Sequence, residues 1–428
     1  ALNKQWVRLQ KRTKRGPHEQ QEAADGGRAQ PGLRPLMLAA AQDHRYADLR
    51  EGVRAACAPF DSAYWQRIDR ERGFPEEFFG ALTLAGWLAV MVPKRYGGSG
   101  LGLSEASIIV EEINRSGGNA GFCHGQIHAM GTLARNGSEA QKDAWLPRVA
   151  TGELRLQSLA VTEPDAGTDT TGISTTAVLH KSGAGSYYTI NGTKTWISRV
   201  RHTEGMLLLA RTTPLEQCQR KTEGLSMFMV NVHEAIGQGM SVKPIPNMVN
   251  HEVSELQFEG LELPANMLVG KEGQGFAYLL EGMHAERALF SAEAVGDAYW
   301  FIDRATAYAN QRVVFNRPIG QNQGVQFPLA QAWIEAEAAN LMRFRACELY
   351  DAGRPCADEA NMAKYLAAKA AWEAADACLQ TYGGFGFACE YDVERKFRET
   401  RLHQITPVST NMVLAYMAQH VLGMPRAY

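Results

Sequence analysis

The sequence predicts a multidomain α+β protein, helical at both ends, with a small antiparallel β domain between. Three observations predict it. At 428 residues the chain is long for one core, so two or three packed domains are expected. Apolar residues recur three and four apart in the first and last parts of the chain, the period of a helix packed on one face. The middle instead carries short β-branched and aromatic runs punctuated by turn residues.

Residues 1–36 are basic, polar and poor in periodic apolar positions, which reads as a disordered arm or tag ahead of a start at Met37. Glu19, Glu22 and Asp25 argue against a transit peptide. Residues 37–157 form an N-terminal helical domain, where "DSAYWQRIDRERGFPEEFFGALTLAGWLAVMVP" and "LSEASIIVEEINRSGG" keep the helical spacing and Gly117–Gly118 supply a stop. The apolar stretch 81–93 falls short of the roughly 20 residues that cross a bilayer and belongs to the core. Residues 158–268 form the middle β domain, from "SLAVT", "YYTINGTKTWIS", "GMLLLART", "LSMFMVNV" and "SELQF", with Asn191–Gly192 as a hairpin turn. Residues 269–428 return to helix. In "DEANMAKYLAAKAAWEAADACLQTYGG", Met362, Tyr365, Leu366, Trp372 and Leu379 mark the packed face, Asp358 the N-cap and Gly383 the stop.

Hydrophobic residues at 45%, charged residues at 21% and a net charge of −2 describe a globular chain with no electrostatic case for nucleic acid or anionic membrane as its main partner. Seven scattered cysteines without a C-x-x-C pair argue against a disulfide framework or a zinc knuckle and fit a reducing cytoplasm. The chain has no H-E-x-x-H, no P-loop, no G-x-S-x-G and no clean G-x-G-x-x-G. This disfavours a zinc hydrolase, a P-loop nucleotidase and a Rossmann dehydrogenase.

More informative is "LAVTEPDAGTDTTGI" at 159–173, where a strand runs into a turn dense in small and hydroxylated residues that can offer N–H groups to a polar ligand. Next, "NGTKTWIS" at 191–198 presents Trp196 and Ser198 from a strand, an aromatic face beside polar groups that can cover a planar ring. Together with "VPKRYGGSGLG", "ERALFSAEAVG", "QRVVFNRPIGQNQGVQFPLA" and "LQTYGGFGF", in family order and spacing, these stretches make the chain resemble an acyl-CoA dehydrogenase over about residues 60–425.

The resemblance implies a homotetramer of subunits with an N-terminal helical domain, an antiparallel β-barrel-like middle domain and a C-terminal four-helix bundle, each binding FAD without a covalent link. It implies that Thr162 and Ser198 hydrogen-bond the isoalloxazine edge, that Trp196 packs on it and that Thr168 faces the CoA arm. Arg312, Gln323 and Gln380 match residues that hold the pyrophosphate and adenosine half, often across a subunit interface, while Gly383 and Gly384 let backbone approach it. A diphosphate favours such a guanidinium fork. Ser409 joins the cofactor-binding set and Thr406 the substrate-binding set; no metal is expected.

The reaction implied is FAD-dependent oxidation of an acyl-CoA to the trans-2-enoyl-CoA in fatty acid metabolism, with an electron-transfer flavoprotein as acceptor. It needs a desolvated carboxylate to take the weakly acidic α-proton. In many members that base is the glutamate of I-Y-E-G-T, which aligns with Ile405, Thr406, Pro407, Val408 and Ser409, so Pro407 stands in its place. The isovaleryl and long-chain branches carry their glutamate on an earlier helix, directly before an arginine. Glu286 is therefore the expected base, with Arg287 organising it or meeting CoA; Glu281 and Glu293 lie one and two turns away. Pro407 also lacks the N–H that helps bind the thioester oxygen, a loss of about 2.7–4 kcal/mol if nothing replaces it. The N–H of Val408, the hydroxyls of Thr406 or Ser409, or a water are the candidate replacements, with altered chemistry the remaining option. Two alternatives keep the fold: a flavin monooxygenase or nitroalkane-oxidase-like enzyme, and a silent subunit of a mixed tetramer.

Overall fold

The computed structural model describes residues 45–183 and 185–426, so the arm at 1–36 and the start at Met37 lie outside the described residues. The chain begins with helices α1 (Ala47–Cys57), α2 (Ser62–Glu71), α3 (Glu76–Leu84), α4 (Leu103–Arg115), α5 (His124–Asn136) and α6 (Glu139–Ala150). Their starts follow capping chemistry: Asp61 accepts from Tyr64 N at 2.9 Å, and Ser138 with Gln141 forms a capping box. Helix α4 is buried almost all round, which its acidic residues survive only by pairing. Glu111 is held by Arg50 at 2.8 Å and by Arg343 at 2.6 Å, and Glu112 by Arg54 at 2.7 Å. Of the 81–93 stretch, Leu82, Leu88, Ala89, Val90 and Val92 are buried, as its composition predicts.

The middle sheet comprises β1 (Leu156–Ala160), β2 (Thr176–Ser182), β3 (Gly185–Ser198), β4 (Gly205–Arg211), β5 (Leu225–Asn231), β6 (Met240–Pro244), β7 (Val253–Pro264) and β8 (Leu268–Val269). Its order is β6-β7-β3-β2-β4-β5-β8 with β1 beside β4, an open path rather than a closed barrel. It is also not wholly antiparallel. β1 leaves α6 and runs parallel to β4, and Thr176 of β2 meets Arg211 of β4 in parallel. Asn191–Gly192 is not the hairpin turn: it lies inside β3 at a register shift against β7, a bulge. Gly192 has φ +144°, and a Cβ there would stand 2.6 Å from Thr175 Cα. Asn191 Oδ1 accepts from Gly260 N at 2.8 Å, so the pair serves the bulge and the chain reverses between Ser182 and Gly185 instead.

The C-terminal bundle is built from α7 (Gly275–Gln311), α8 (Gln323–Asp351) and α9 (Ala357–Tyr382), with the short α10 (Val393–Thr400) and α11 (Thr410–Tyr416) against α9. The packed face of α9 is not the one the large apolar residues marked. Ala363, Ala367, Ala370, Ala371, Ala374 and Ala375 are buried between α7 and α8, whereas Met362, Tyr365, Leu366, Trp372 and Leu379 flank the seam half-buried. Small side chains let helix axes come close, so the seam selects alanine. Cys356, not Asp358, holds the N-cap, and Gly383 ends the helix at φ +59° as expected. Helix α7 also packs on α4, where a Cβ on Gly296 would meet Glu111 O at 2.3 Å. Among the described residues no helix is long and apolar enough to cross a membrane, and no side-chain cluster is suited to a metal.

Candidate active site

The small-residue loop after β1 is shaped by a residue that composition alone leaves unremarked. Buried Glu163 accepts from Ser174 N at 2.7 Å, Ser174 Oγ at 2.9 Å, Thr175 N at 2.9 Å and Lys194 Nζ at 2.8 Å. Burial opposes its charge, but Lys194, Thr175 and Ser174 outweigh burial and hold the carboxyl down at about 2. The loop is thereby tied to β3, where Thr195 N donates to Thr162 O at 2.9 Å. This brings Thr162, Trp196 and Ser198 together. Trp196 takes φ +61° and leaves its side chain 58% exposed, a flat apolar face at the end of β3, and Thr168 is exposed on the loop. Ser198 Oγ lies 2.8 Å from His251 Nε2, and His251 Nδ1 lies 3.1 Å from Arg199 Nη2.

Beside this end of β3, β1 packs on α5. Arg199 lies over Phe122, 3.9 Å from the ring centroid, just ahead of α5. Across α5 and α7, two histidines one turn apart face two glutamates two turns apart. His124 Nδ1 is 2.7 Å from Glu293 Oε1, and His128 Nε2 is 3.9 Å from Glu286 Oε2. The first pair is closed: burial disfavours an imidazolium, but Glu293 outweighs it and raises the His124 pKa. The second is open. Neither His128 Nε2 nor Glu286 Oε2 has a hydrogen-bond partner among the described residues, both are buried, and burial lowers the His128 pKa so that the ring is neutral. Gly282, one turn before Glu286, makes room: a Cβ there would stand 2.9 Å from His128 Nε2.

Arg287, its pKa lowered chiefly by burial, donates to His284 Nδ1 at 3.2 Å. The neighbouring acids are committed elsewhere, Glu281 to Arg135 at 2.8 Å and Glu293 to His124. Phe290 lies edge-on to His124 at 4.6 Å and to His403 at 5.9 Å between centroids, and His403 Nε2 is 3.0 Å from Asp297 Oδ2. The segment holding Pro407 is thus anchored beside the same cluster. Within it the Thr406 hydroxyl is spent on Leu402 O at 3.3 Å, whereas Val408 N–H has no partner among the described residues and Ser409 Oγ accepts from Met412 N at 3.4 Å, leaving its proton free.

A second group lies apart. Arg312, Val314, Tyr308, Gly383, Gly384 and Phe385 line an open cavity of about 630 Å³. Gln323 and Gln380 are exposed at the same end of the bundle, where α7 and α9 finish and α8 begins. A Cβ on Gly383 or Gly384 would meet nothing within 4 Å, so this backbone is open to a ligand. Helix α7 carries both Glu286 and the approach to Arg312, and at about 1.5 Å per residue these two residues stand about 39 Å apart along its axis. The sequence missed Glu163, His128, His124 and His251. The only signals for them were the i, i+4 histidines of "HGQIH" and the acid within "TEPD".

Three family models match most of the chain: acyl-CoA dehydrogenase N-terminal domain over residues 43–153, middle domain over 158–261 and C-terminal domain over 273–422. The chain belongs to the acyl-CoA dehydrogenase family. It is 35% identical over 385 residues to acyl-CoA dehydrogenase FadE12 of Mycobacterium tuberculosis, covering 89% of this chain and 96% of that one. Its fold matches a glutaryl-coenzyme A dehydrogenase in complex with glutaryl-CoA at TM-score 0.82 and 28% identity, over 90% and 96% of the two chains. It matches the FAD complex of PigA at TM-score 0.80 and 26% identity, over 89% and 98%. The protein is thus a flavin-dependent oxidoreductase of that family. The exposed Trp196 face and the open Gly383–Gly384 backbone fit the two halves of FAD.

Proposed function

We propose that the protein oxidises an acyl-CoA thioester to the trans-2-enoyl-CoA with Glu286 as the base that takes the α-proton. One observation carries this reading. Glu286 is a nearly buried carboxylate with an unpartnered oxygen facing neutral His128, while the acids one and two turns away are already paired. A desolvated carboxylate is what a weakly acidic α-proton requires. Bound FAD supplies the hydride acceptor. Thr162, Trp196 and Ser198 hold the flavin end, Thr168 faces the CoA arm, and Arg287 sets the charge beside the base. Val408 N–H and the Ser409 hydroxyl take over the thioester-oxygen contact that Pro407 cannot make.

Arg312, Gln323, Gln380, Gly383 and Gly384 hold the pyrophosphate and adenosine of a cofactor whose flavin sits in a second copy of this chain, consistent with their distance from Glu286. The assembly we propose is a homotetramer, with an electron-transfer flavoprotein as acceptor and the cytoplasm as compartment. The test is anaerobic: purified holoprotein is mixed with straight and branched acyl-CoAs while flavin absorbance is followed. Rapid bleaching by at least one acyl-CoA is expected. No bleaching by any of them, or reduction only with nitroalkanes, overturns the proposal.

A further inference from the structure

A serine hydroxyl can donate or accept, and which it does depends on its other neighbours. Around Ser198 the neighbours leave no choice. A guanidinium has donors only, so the 3.1 Å contact between Arg199 Nη2 and His251 Nδ1 makes Nδ1 the acceptor. A neutral imidazole accepting at Nδ1 carries its proton on Nε2. That N–H lies 2.8 Å from Ser198 Oγ and donates to it, so the hydroxyl proton points elsewhere.

Each member of the relay is held in place. Arg199 is 2% exposed, takes φ +64°, and donates its backbone N–H to Glu252 O at 3.0 Å. The backbone oxygen of His251 accepts from Asn247 Nδ2 at 2.7 Å, and the backbone oxygen of Ser198 accepts from Ser158 Oγ at 2.7 Å. The ring does not switch by protonation, since burial, Arg199 and His124 hold its pKa well below the ordinary histidine value.

We infer that Arg199 and His251 are positioning residues that fix the Ser198 hydroxyl as a donor toward the edge of the flavin. The inference rests on the reading of Ser198 as a flavin contact. A donor oriented before the cofactor arrives needs no reorganisation when charge grows on the ring.

The experiment compares FAD affinity of apoprotein, by quenching of flavin fluorescence, with the visible spectrum of holoprotein for Ser198→Ala, His251→Leu, His251→Gln and the Ser198→Ala/His251→Leu double variant. His251→Leu is expected to weaken FAD about 3- to 10-fold and to shift the flavin band. His251→Gln, whose amide accepts from Arg199 and donates to Ser198, stays near wild type, and the double variant is no weaker than Ser198→Ala. Loss in His251→Leu that persists undiminished in the Ser198→Ala background overturns the relay. Wild-type affinity in Ser198→Ala sinks the flavin contact itself, whereas loss there with none in His251→Leu sinks only the relay. Neutron diffraction of holoprotein tests the relay without a variant: a deuteron on His251 Nε2 supports it, and one on Nδ1 overturns it.

Discussion

Replacing Glu286 by glutamine removes the proposed base while keeping the side chain's size. A positioned general base contributes typically about 10²- to 10⁴-fold. The upper part of that range is expected because the neighbouring carboxylates on α7 are already paired among the described residues. Glu281 is paired with Arg135 at 2.8 Å, Glu293 with His124 at 2.7 Å, and no acid follows Glu399 in the sequence. A fall of about 10³- to 10⁴-fold, about 4–5 kcal/mol of barrier, is therefore expected in the rate of anaerobic flavin reduction. The assay is single-turnover stopped flow with an acyl-CoA that bleaches the wild-type flavin, alongside FAD content and thermal unfolding. Reduction within about tenfold of wild type, at full FAD occupancy, would refute the reasoning, because a side chain that does not take the proton can be lost at little cost.

Glu163→Gln leaves Lys194 buried without its counter-charge, and breaking such a pair costs about 3–5 kcal/mol, measurable by urea unfolding at neutral pH. The folded carboxyl sits at about 2 against an ordinary 4.5, so the unfolded chain binds the extra proton. Its contribution is complete above pH 4.5 and is lost as pH falls toward 2; a wild-type advantage that stays constant over that window contradicts the assignment. Arg312→Ala should weaken FAD by roughly 10- to 100-fold, the size of a charge-assisted hydrogen bond, and an unchanged affinity by fluorescence titration would remove Arg312 from the cofactor site. Gly296→Ala forces a Cβ toward Glu111 O and should cost about 1–3 kcal/mol in thermal or urea unfolding. Wild-type stability in that variant would mean that α4 and α7 do not pack as closely as described.

The helix–sheet–helix order was legible because it rests on hydrophobic period, which long segments repeat many times. Gly383 as a helix stop was legible for a similar reason, since a residue at φ +59° there is best supplied by glycine. Asn191–Gly192 misled because the tolerance of glycine for positive φ serves a bulge as well as a turn, and only the partner strand β7 decides between them. The face of α9 misled because hydropathy favours large side chains, whereas the closeness of α7 and α8 favours alanine. Glu163, His128 and His251 were hidden because each acts through residues distant in sequence. Glu163 reaches Lys194, and His128 reaches α7.

Placing the base on α7, as proposed, instead of in the 405–409 segment changes what each element has to do. On α7 the carboxylate is carried by a 37-residue helix wedged against α4, α5, α8 and α9, and Gly282 one turn earlier lets His128 close on its side. Packed helices hold a side chain more firmly than a loop does. The 405–409 segment, freed from supplying a carboxylate, accommodates a proline, but the electrostatic demand of the thioester oxygen remains. Val408 N–H and the Ser409 hydroxyl proton are among the donors there with no partner among the described residues, and Ser409 is fixed as the N-cap of α11. On the proposed reading, Pro407 leaves the proton-accepting task to a rigid helix and the oxygen-binding task one residue further along the loop.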